Sequence, residues 1–250
     1  MPLSLRAAFF RASPATPLRV LCIISLDIVH VLRHASPLGR ERREQLSLLL
    51  DFQACTNAVW DDKPLRSSQC HALRERLEAA GLAPWIHAYL ERLRQLETER
   101  PTIGNGVHRF DAVRDYREAV VRLSLATVAG VALHARHIDE AINATDTDAD
   151  LAVLFRMAMQ CQVIDDVVDY REDRASALPG FMTAAPFPQA LAWAACAVRS
   201  YGVSCAHGRS LLPLRPPLYV LTALAGLSVR VARWIYDESF LNDQPPSLLS

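Results

Sequence analysis

Acidic side chains are most concentrated in residues 162–173, which read Gln-Val-Ile-Asp-Asp-Val-Val-Asp-Tyr-Arg-Glu-Asp. On a helix with about 100° between successive residues, the five carboxylates of this segment fall within roughly a third of the circumference. They are Asp165, Asp166, Asp169, Glu172 and Asp173. Gln162 lies on the same face, whereas Arg171 and Arg174 point elsewhere. No cation of the same helix therefore neutralises these acids.

The residues around these acids are apolar, and this setting decides what chemistry they favour. They are Met157, Met159, Val163, Ile164, Val167 and Val168. Burying an unpaired carboxylate costs on the order of several kcal/mol or forces its protonation. A divalent cation removes that conflict, because Mg²⁺ prefers carboxylate oxygens and often completes its coordination with phosphate oxygens of a substrate. The segment therefore predicts a Mg²⁺ site for a phosphate or diphosphate ligand; a solvated acidic face is the alternative.

The elements that must position these acids are helices. Helical periodicity dominates the chain and strand-like alternation is missing, which predicts an all-α fold. The helices are long and apolar over much of their circumference, so we expect them to pack around one central core in a single domain, 1–250. About residues 1–15 and 243–250 are expected to be loosely attached. The predicted helices are Leu18–His34, Arg40–Asp61, Ser67–Ala80, Pro84–Glu99, Arg109–Ile142, Ala149–Arg174, Pro188–Tyr201 and Pro217–Phe240.

Charge and composition argue against a nucleic-acid-binding protein, a disulfide-bonded protein and a membrane-spanning protein. The 27 Lys and Arg residues balance 27 Asp and Glu residues, so a nucleic acid would meet no overall attractive field and is not expected as a partner. Six cysteines without a CxxC pair are typical of reduced thiols in a cytoplasmic protein. Asp27 and His30 interrupt the apolar stretch Val20–Leu32, so we predict a core helix there and no transmembrane segment.

The acidic segment resembles a known motif. Asp165-Asp166-x-x-Asp169 after Gln162 looks like the second aspartate-rich motif of class I isoprenoid synthases. The string through Asp173 is more similar to the Gln-x-x-Asn-x-x-Arg-Asp-x-x-Glu-Asp motif of squalene and phytoene synthases. Asp165 stands where those enzymes have Asn, and Val168 replaces their Arg. The resemblance implies an isoprenoid synthase-like helical bundle around a central active-site cavity. Its Mg²⁺ ligands would be Asp165, Asp166, Asp169 and Asp173.

A second segment, residues 51–62, occupies the place of the first aspartate-rich motif of that family. Asn57 and Asp61 are one turn apart and match the first and last positions of that motif, so the resemblance adds both to the metal ligands. An amide replaces the first acid; it still offers a carbonyl oxygen to Mg²⁺, but with one negative charge fewer. An ordinary polar helix end before Pro64 is the alternative.

Tyr116-Arg117, followed by Val128-Ala129-Gly130-Val131, resembles the mid-chain helix of squalene and phytoene synthases. The resemblance implies catalytic roles for Asp165, Asp169 and Tyr116. Arg117 is predicted to anchor the diphosphate; a surface arginine paired with Glu118 or Asp115 is the alternative. Substrate-binding roles are predicted for Arg117, Gln162, Tyr170 and Phe52. Ring faces stabilise carbocations, although most aromatic residues in a helical protein belong to the core.

The function expected from these residues is that of a Mg²⁺-dependent isoprenoid synthase that ionises an allylic prenyl diphosphate, with squalene/phytoene synthase-like prenyl transfer. Three alternatives stay open: a terpene cyclase acting on a single prenyl diphosphate, a non-catalytic helical binding relative, and a phosphohydrolase using the same acidic face. An apolar product would favour peripheral contact with a membrane. A homodimer and a monomer are both compatible with this function, as are prenyl chains of different length.

Overall fold

Helices make up the regular structure of the described part of the chain. The computed structural model describes residues 16–60, 67–102, 109–202 and 213–242. Within these ranges there are ten helices and no strand, which confirms the predicted all-α class. The helices are α1 Thr16–His34, α2 Arg40–Trp60, α3 Ser67–Ala79, α4 Ala83–Thr98, α5 Arg109–Ala132, α6 Ile138–Thr147, α7 Ala149–Val168, α8 Tyr170–Ala175, α9 Phe187–Ser200 and α10 Arg215–Asn242. The chain ends predicted to be loosely attached lie outside the described residues.

The chain divides into two compact units, each made of two separate stretches. Unit 1 comprises Met1–Thr98 and Arg122–Ala152, and unit 2 comprises Glu99–Val121 and Val153–Ser250. Helices α5 and α7 each contribute residues to both units. A single domain with a central cavity stays a prediction.

Unit 1 is held together by helix packing around large buried side chains. Helix α2 packs against α1 and α3, and α4 packs against α3 and α6. Gly130 shows how closely these helices approach, because a Cβ atom at this position would lie 2.3 Å from the Trp85 ring and 2.9 Å from Ala141. The Val-Ala-Gly segment noted in the sequence thus has a packing role: its glycine leaves room for Trp85.

The predicted helix 109–142 is wrong, because the chain breaks between α5 and α6. His134 adopts a left-handed φ of 58°. His137 Nδ1 then accepts the Glu140 N–H at 3.2 Å, and the Glu140 carboxylate accepts the Arg136 N–H at 2.9 Å. Neither Gly nor Pro marks this break, so the usual stop signals fail. The reciprocal spacing of His137 and Glu140 is related to a capping box and is the local signal that locates the start of α6.

The predicted helix 149–174 is interrupted as well, at the single residue Asp169 between α7 and α8. The Asp169 N–H donates to the Asp165 carbonyl at 2.8 Å, and the Asp173 N–H donates to the Asp169 carbonyl at 2.9 Å. These bonds have helical spacing, so the acids on either side of the break stay on neighbouring turns.

In unit 2, α10 packs against α9. Gln160, which is fully buried, ties α7 to α9 by donating to the Val198 carbonyl at 2.8 Å. By length and composition, Arg215–Ile235 of α10 is apolar enough to cross a membrane, a test that the core helix of a soluble protein also passes. Only 22% of the 18-residue part that passes this test is buried in the structure.

Candidate functional site

Asp166 is the buried member of the acidic segment, with 1% of its surface exposed. Its carboxylate accepts hydrogen bonds from Arg117 Nη2 at 3.1 Å, Gln162 Nε2 at 2.7 Å and the Phe181 backbone N–H at 2.6 Å. Burial raises the pKa of Asp166, while Arg117, the Phe181 amide and Gln162 act in the opposite direction because they favour the charged form. The cation that the helix itself lacks is thus supplied by α5.

A tight turn after α8 brings the Phe181 amide to Asp166. The Gly180 N–H donates to Thr183 Oγ1 at 2.8 Å, and the Thr183 N–H donates to the Gly180 carbonyl at 3.1 Å. A Cβ atom on Gly180 would lie 2.8 Å from Asp166 Oδ2 and 3.3 Å from Arg117 Nη2. Glycine is therefore needed here for close approach. The sequence does not reveal this role, because a glycine directly after Pro179 is also a common stop signal after a helix.

Arg117 is largely buried, with 19% of its side chain exposed. Burial opposes its charge, but Asp166 and then Asp173 hold the pKa of Arg117 above its ordinary value. Its Nε atom is buried and has no hydrogen-bond partner within the described ranges. Arg117 is therefore not a surface arginine paired with Asp115, because the arginine that lies 3.4 Å from Asp115 is Arg114.

The other aspartates of the segment lie nearer to solvent. Asp165 is exposed, and Asp169 and Asp173 are partly buried. Burial and the neighbouring Asp166 carboxylate raise the pKa of Asp173 to about 7, and Arg117 offsets only part of this effect. Asp165 and Asp169 add to the rise. Burial is thus the main reason why the charged form of Asp173 is disfavoured at neutral pH, and the nearby carboxylates add to it.

The aromatic residues predicted to bind substrate have core contacts. Tyr170 is 6% exposed, its hydroxyl accepts a hydrogen bond from Arg174 at 2.8 Å, and its ring lies 5.3 Å from that of Phe187. Phe52 belongs to unit 1, where it is 1% exposed and its ring centroid lies 6.3 Å from that of Tyr89. Tyr116 is partly buried next to Arg117 on α5.

The first acidic segment is only partly described. Asn57 is exposed in the last turn of α2 in unit 1, and Asp61 lies outside the described residues. Upstream, Asp51 is held by Arg19 Nη1 at 2.6 Å. A metal site formed by Asn57 and Asp61 stays a prediction.

No family model, curated protein or solved structure matches the chain. The resemblance to class I isoprenoid synthases thus rests on the quoted motif residues.

The thiol of Cys161 is not activated as a nucleophile. The described cysteines form no disulfide bond with one another; they are Cys22, Cys55, Cys70, Cys161 and Cys196. Burial, with a further contribution from Asp165, raises the pKa of Cys161 to about 11, so this thiol stays protonated at neutral pH.

The donor sets distinguish the acids as ligands for a metal. In the described part of the chain, no three His, Cys, Asp or Glu side chains are already grouped to hold a metal ion. Asp166 has its oxygens engaged by three protein donors. Asp165, Asp169 and Asp173 offer hard oxygen donors on successive helical turns, and a divalent cation would relieve the repulsion that raises the pKa of Asp173 further. The chemistry of these donors suits Mg²⁺, and a Mg²⁺ site at these residues stays a prediction.

Proposed function

We propose that this protein is a Mg²⁺-dependent class I isoprenoid synthase that ionises an allylic prenyl diphosphate, with squalene/phytoene synthase-like prenyl transfer as its reaction. The observation that carries the proposal is the position of Asp165, Asp169 and Asp173 on successive helical turns of unit 2, the unit that also contains the buried Arg117. Carboxylate oxygens in the same unit as a buried guanidinium suit a ligand that combines a divalent cation with a diphosphate.

In this mechanism the side chains of unit 2 bind and orient the leaving group. Mg²⁺ held by Asp165, Asp169 and Asp173 would supply the positive charge that a departing diphosphate needs. Arg117 donates hydrogen bonds to the diphosphate, and Asp166 fixes the position of its guanidinium group. Asp166 is therefore a positioning residue in this mechanism. Tyr116, next to Arg117, offers a ring whose face stabilises the allylic cation.

The test is incubation of the full chain with Mg²⁺ and prenyl diphosphates of increasing length, with product analysis. A hydrocarbon made from two substrate molecules supports the proposal. A cyclic hydrocarbon made from one molecule indicates a terpene cyclase, and a prenyl alcohol alone indicates hydrolysis. Asp169→Ala should abolish turnover without unfolding the protein, because it relieves repulsion between like charges. Near-normal turnover of this variant at saturating Mg²⁺ would rule the proposal out.

Asp146→Ala is the matched control for that substitution. Asp146 lies in unit 1, is 62% exposed at its side chain and pairs with Arg122, so its removal should leave turnover unchanged.

A non-catalytic binding relative is the second candidate. The complete set of donors around Asp166 favours it, because a purely structural buried acid needs the same partners. Calorimetry with Mg²⁺ and a prenyl diphosphate separates the two: heat of binding without any product supports the second candidate.

A further inference from the structure

Helix α10 has one covered apolar side and one uncovered apolar side. Leu218, Ala225, Val229 and Ala232 are buried on the side that packs in unit 2. Seven large apolar residues on the other side are between 42% and 67% exposed. They are Tyr219, Val220, Leu224, Leu227, Val231, Trp234 and Ile235. We refer to this set as the α10 apolar face. Contiguous exposed apolar surface of this kind marks an interaction site.

The central residues of this face form a straight stripe. Val220, Leu224, Leu227, Val231 and Trp234 follow one another at alternating intervals of four and three residues, which places them on one side of a helix. At about 1.5 Å per residue, the stripe is roughly 21 Å long. It is a continuous strip along α10, unlike single apolar residues scattered over a surface.

The charges beside the stripe have one sign. Between Arg215 and Ile235 the sequence contains three arginines and no acid; the first acids, Asp237 and Glu238, come after the stripe. Arg230 and Arg233 are exposed and lie along one edge of the stripe. An anionic surface complements this arrangement. The same stretch of a second copy of the chain would offer these arginines no acid.

The ends of the face are of the type found at lipid surfaces. Tyr219, 59% exposed, begins it, and Trp234, 67% exposed, lies close to its end. Tyrosine and tryptophan combine an apolar ring with a polar atom, and both are enriched at the boundary between lipid and water. Arginine extends its apolar stem along such a boundary while its charge reaches the headgroups.

We propose that the α10 apolar face docks this protein on an anionic lipid surface, with α10 lying in the plane of the interface. Crossing the bilayer would require α10 to leave unit 2 and uncover the side that includes Leu218 and Ala225, which are fully buried. In-plane docking uses only the uncovered side. The proposal uses no residue of the acidic segment, so it stands or falls independently of the proposed enzyme activity.

The test measures binding of the full chain to vesicles of phosphatidylcholine alone and of phosphatidylcholine with phosphatidylglycerol, by co-sedimentation. The wild-type protein should bind the anionic vesicles more tightly. Leu224→Gln combined with Leu227→Gln should weaken this binding about tenfold or more. Arg230→Gln should weaken binding to the anionic vesicles by a factor of about five and leave binding to phosphatidylcholine unchanged.

Matched substitutions on α1 provide the control. Ile24 and Val31 are 52% and 42% exposed in unit 1, so Ile24→Gln with Val31→Gln removes comparable apolar surface elsewhere. These changes should not alter vesicle binding. Trp234 gives a second readout: vesicles should shift tryptophan emission to shorter wavelength in the wild type but much less in Trp234→Phe.

Three outcomes would overturn the proposal. The first is a wild-type protein that does not sediment with anionic vesicles. The second is an equal loss of binding in the α1 and α10 variants. The third is a particle mass, measured by light scattering without lipid, that falls from dimer to monomer in the α10 variant while vesicle binding is unchanged, because the face would then be a contact between two copies.

Discussion

Residues 146–150 of unit 1 and residues 165–173 of unit 2 are both rich in aspartate, but their charges are balanced in different ways. In the first stretch two arginines from other helices divide three aspartates between them. Arg122 pairs with Asp146, and Arg33 Nη2 lies 2.6 Å and 3.3 Å from the other two. The charge of this stretch is thus shared among short ion pairs.

In the second stretch the buried Asp166 is paired with Arg117, and we call these two residues the inner pair; we call Asp165, Asp169 and Asp173 the outer acids. Arg117 donates to Asp166, while the pKa of Asp173 still rises to about 7 from burial and the neighbouring carboxylates. Acid density along the sequence therefore does not distinguish a structural stretch from a candidate cation site. What sets the second stretch apart is a buried acid, Asp166, paired with a largely buried arginine.

The largest expected effect comes from breaking the inner pair. Asp166→Ala leaves Arg117 buried without its carboxylate, which should lower the free energy of unfolding by about 3–5 kcal/mol. Urea denaturation measures this. The control, Asp146→Ala, breaks a pair whose acid is 62% exposed at its side chain and should cost no more than about 1 kcal/mol. Equal losses in the two variants would show that the buried Asp166–Arg117 pair contributes no more to stability than the exposed Asp146–Arg122 pair.

Gly180→Ala tests the close approach of the turn at Gly180 to the Asp166 carboxylate. The added Cβ would lie 2.8 Å from Asp166 Oδ2, so we expect a loss of about 2 kcal/mol in the free energy of unfolding. Gly226→Ala in α10 is the opposite case. Its nearest neighbour would be Val198 Cγ1 at 4.0 Å, and a helical alanine should stabilise by about 0.5–1 kcal/mol. A neutral Gly180→Ala would contradict the placement of the turn against Asp166.

The outer acids should make stability depend on pH. The pKa of Asp173 rises to about 7 in the folded protein, above its value in the unfolded chain, so its contribution is fully present below the unfolded pKa and is lost as pH rises through about 7. Asp173→Asn should therefore be more stable than the wild type above pH 7. We expect about 1–2 kcal/mol, since solvent screens a partly exposed carboxylate.

Unfolding measured between pH 4 and pH 8 checks this sign. The fall in stability across that range should be smaller in Asp173→Asn and unchanged in Asp146→Asn. Mg²⁺ should reduce the fall in the wild type if it binds the outer acids. An Asp173→Asn protein with the wild-type pH profile would show that the pKa of Asp173 is not raised in the folded protein.

Asn57→Asp is expected to have the smallest effect on stability, within about 0.5 kcal/mol, because Asn57 is exposed. If Asn57 binds metal, the added charge should lower the Mg²⁺ concentration for half-maximal activity by a factor of about 2–5. Titration of Mg²⁺ against activity, together with melting temperatures, measures both. A shifted melting temperature with an unchanged Mg²⁺ midpoint would instead make Asn57 a helix-end residue.

The helical class and the positions of α1 to α4 could be predicted from the sequence, because periodicity and stop signals are local. The start of α3 at Ser67 and that of α2 at Arg40 agree with the sequence. The break before α6 could not be placed in the same way. It depends on a left-handed His134 and on hydrogen bonds between His137 and Glu140, without any Gly or Pro.

The candidate site, too, could be predicted from the sequence only in part. The sequence by itself determined that five carboxylates share one side of a helical segment, because the angle between residues is a property of the helix. Only the tertiary structure decided that Asp166 is buried while Asp165 is exposed, because the helix period does not say which side meets the core. The partner of Asp166 is Arg117, 49 residues away along the chain, and such a pair forms only when the packing of separate helices brings the two side chains together.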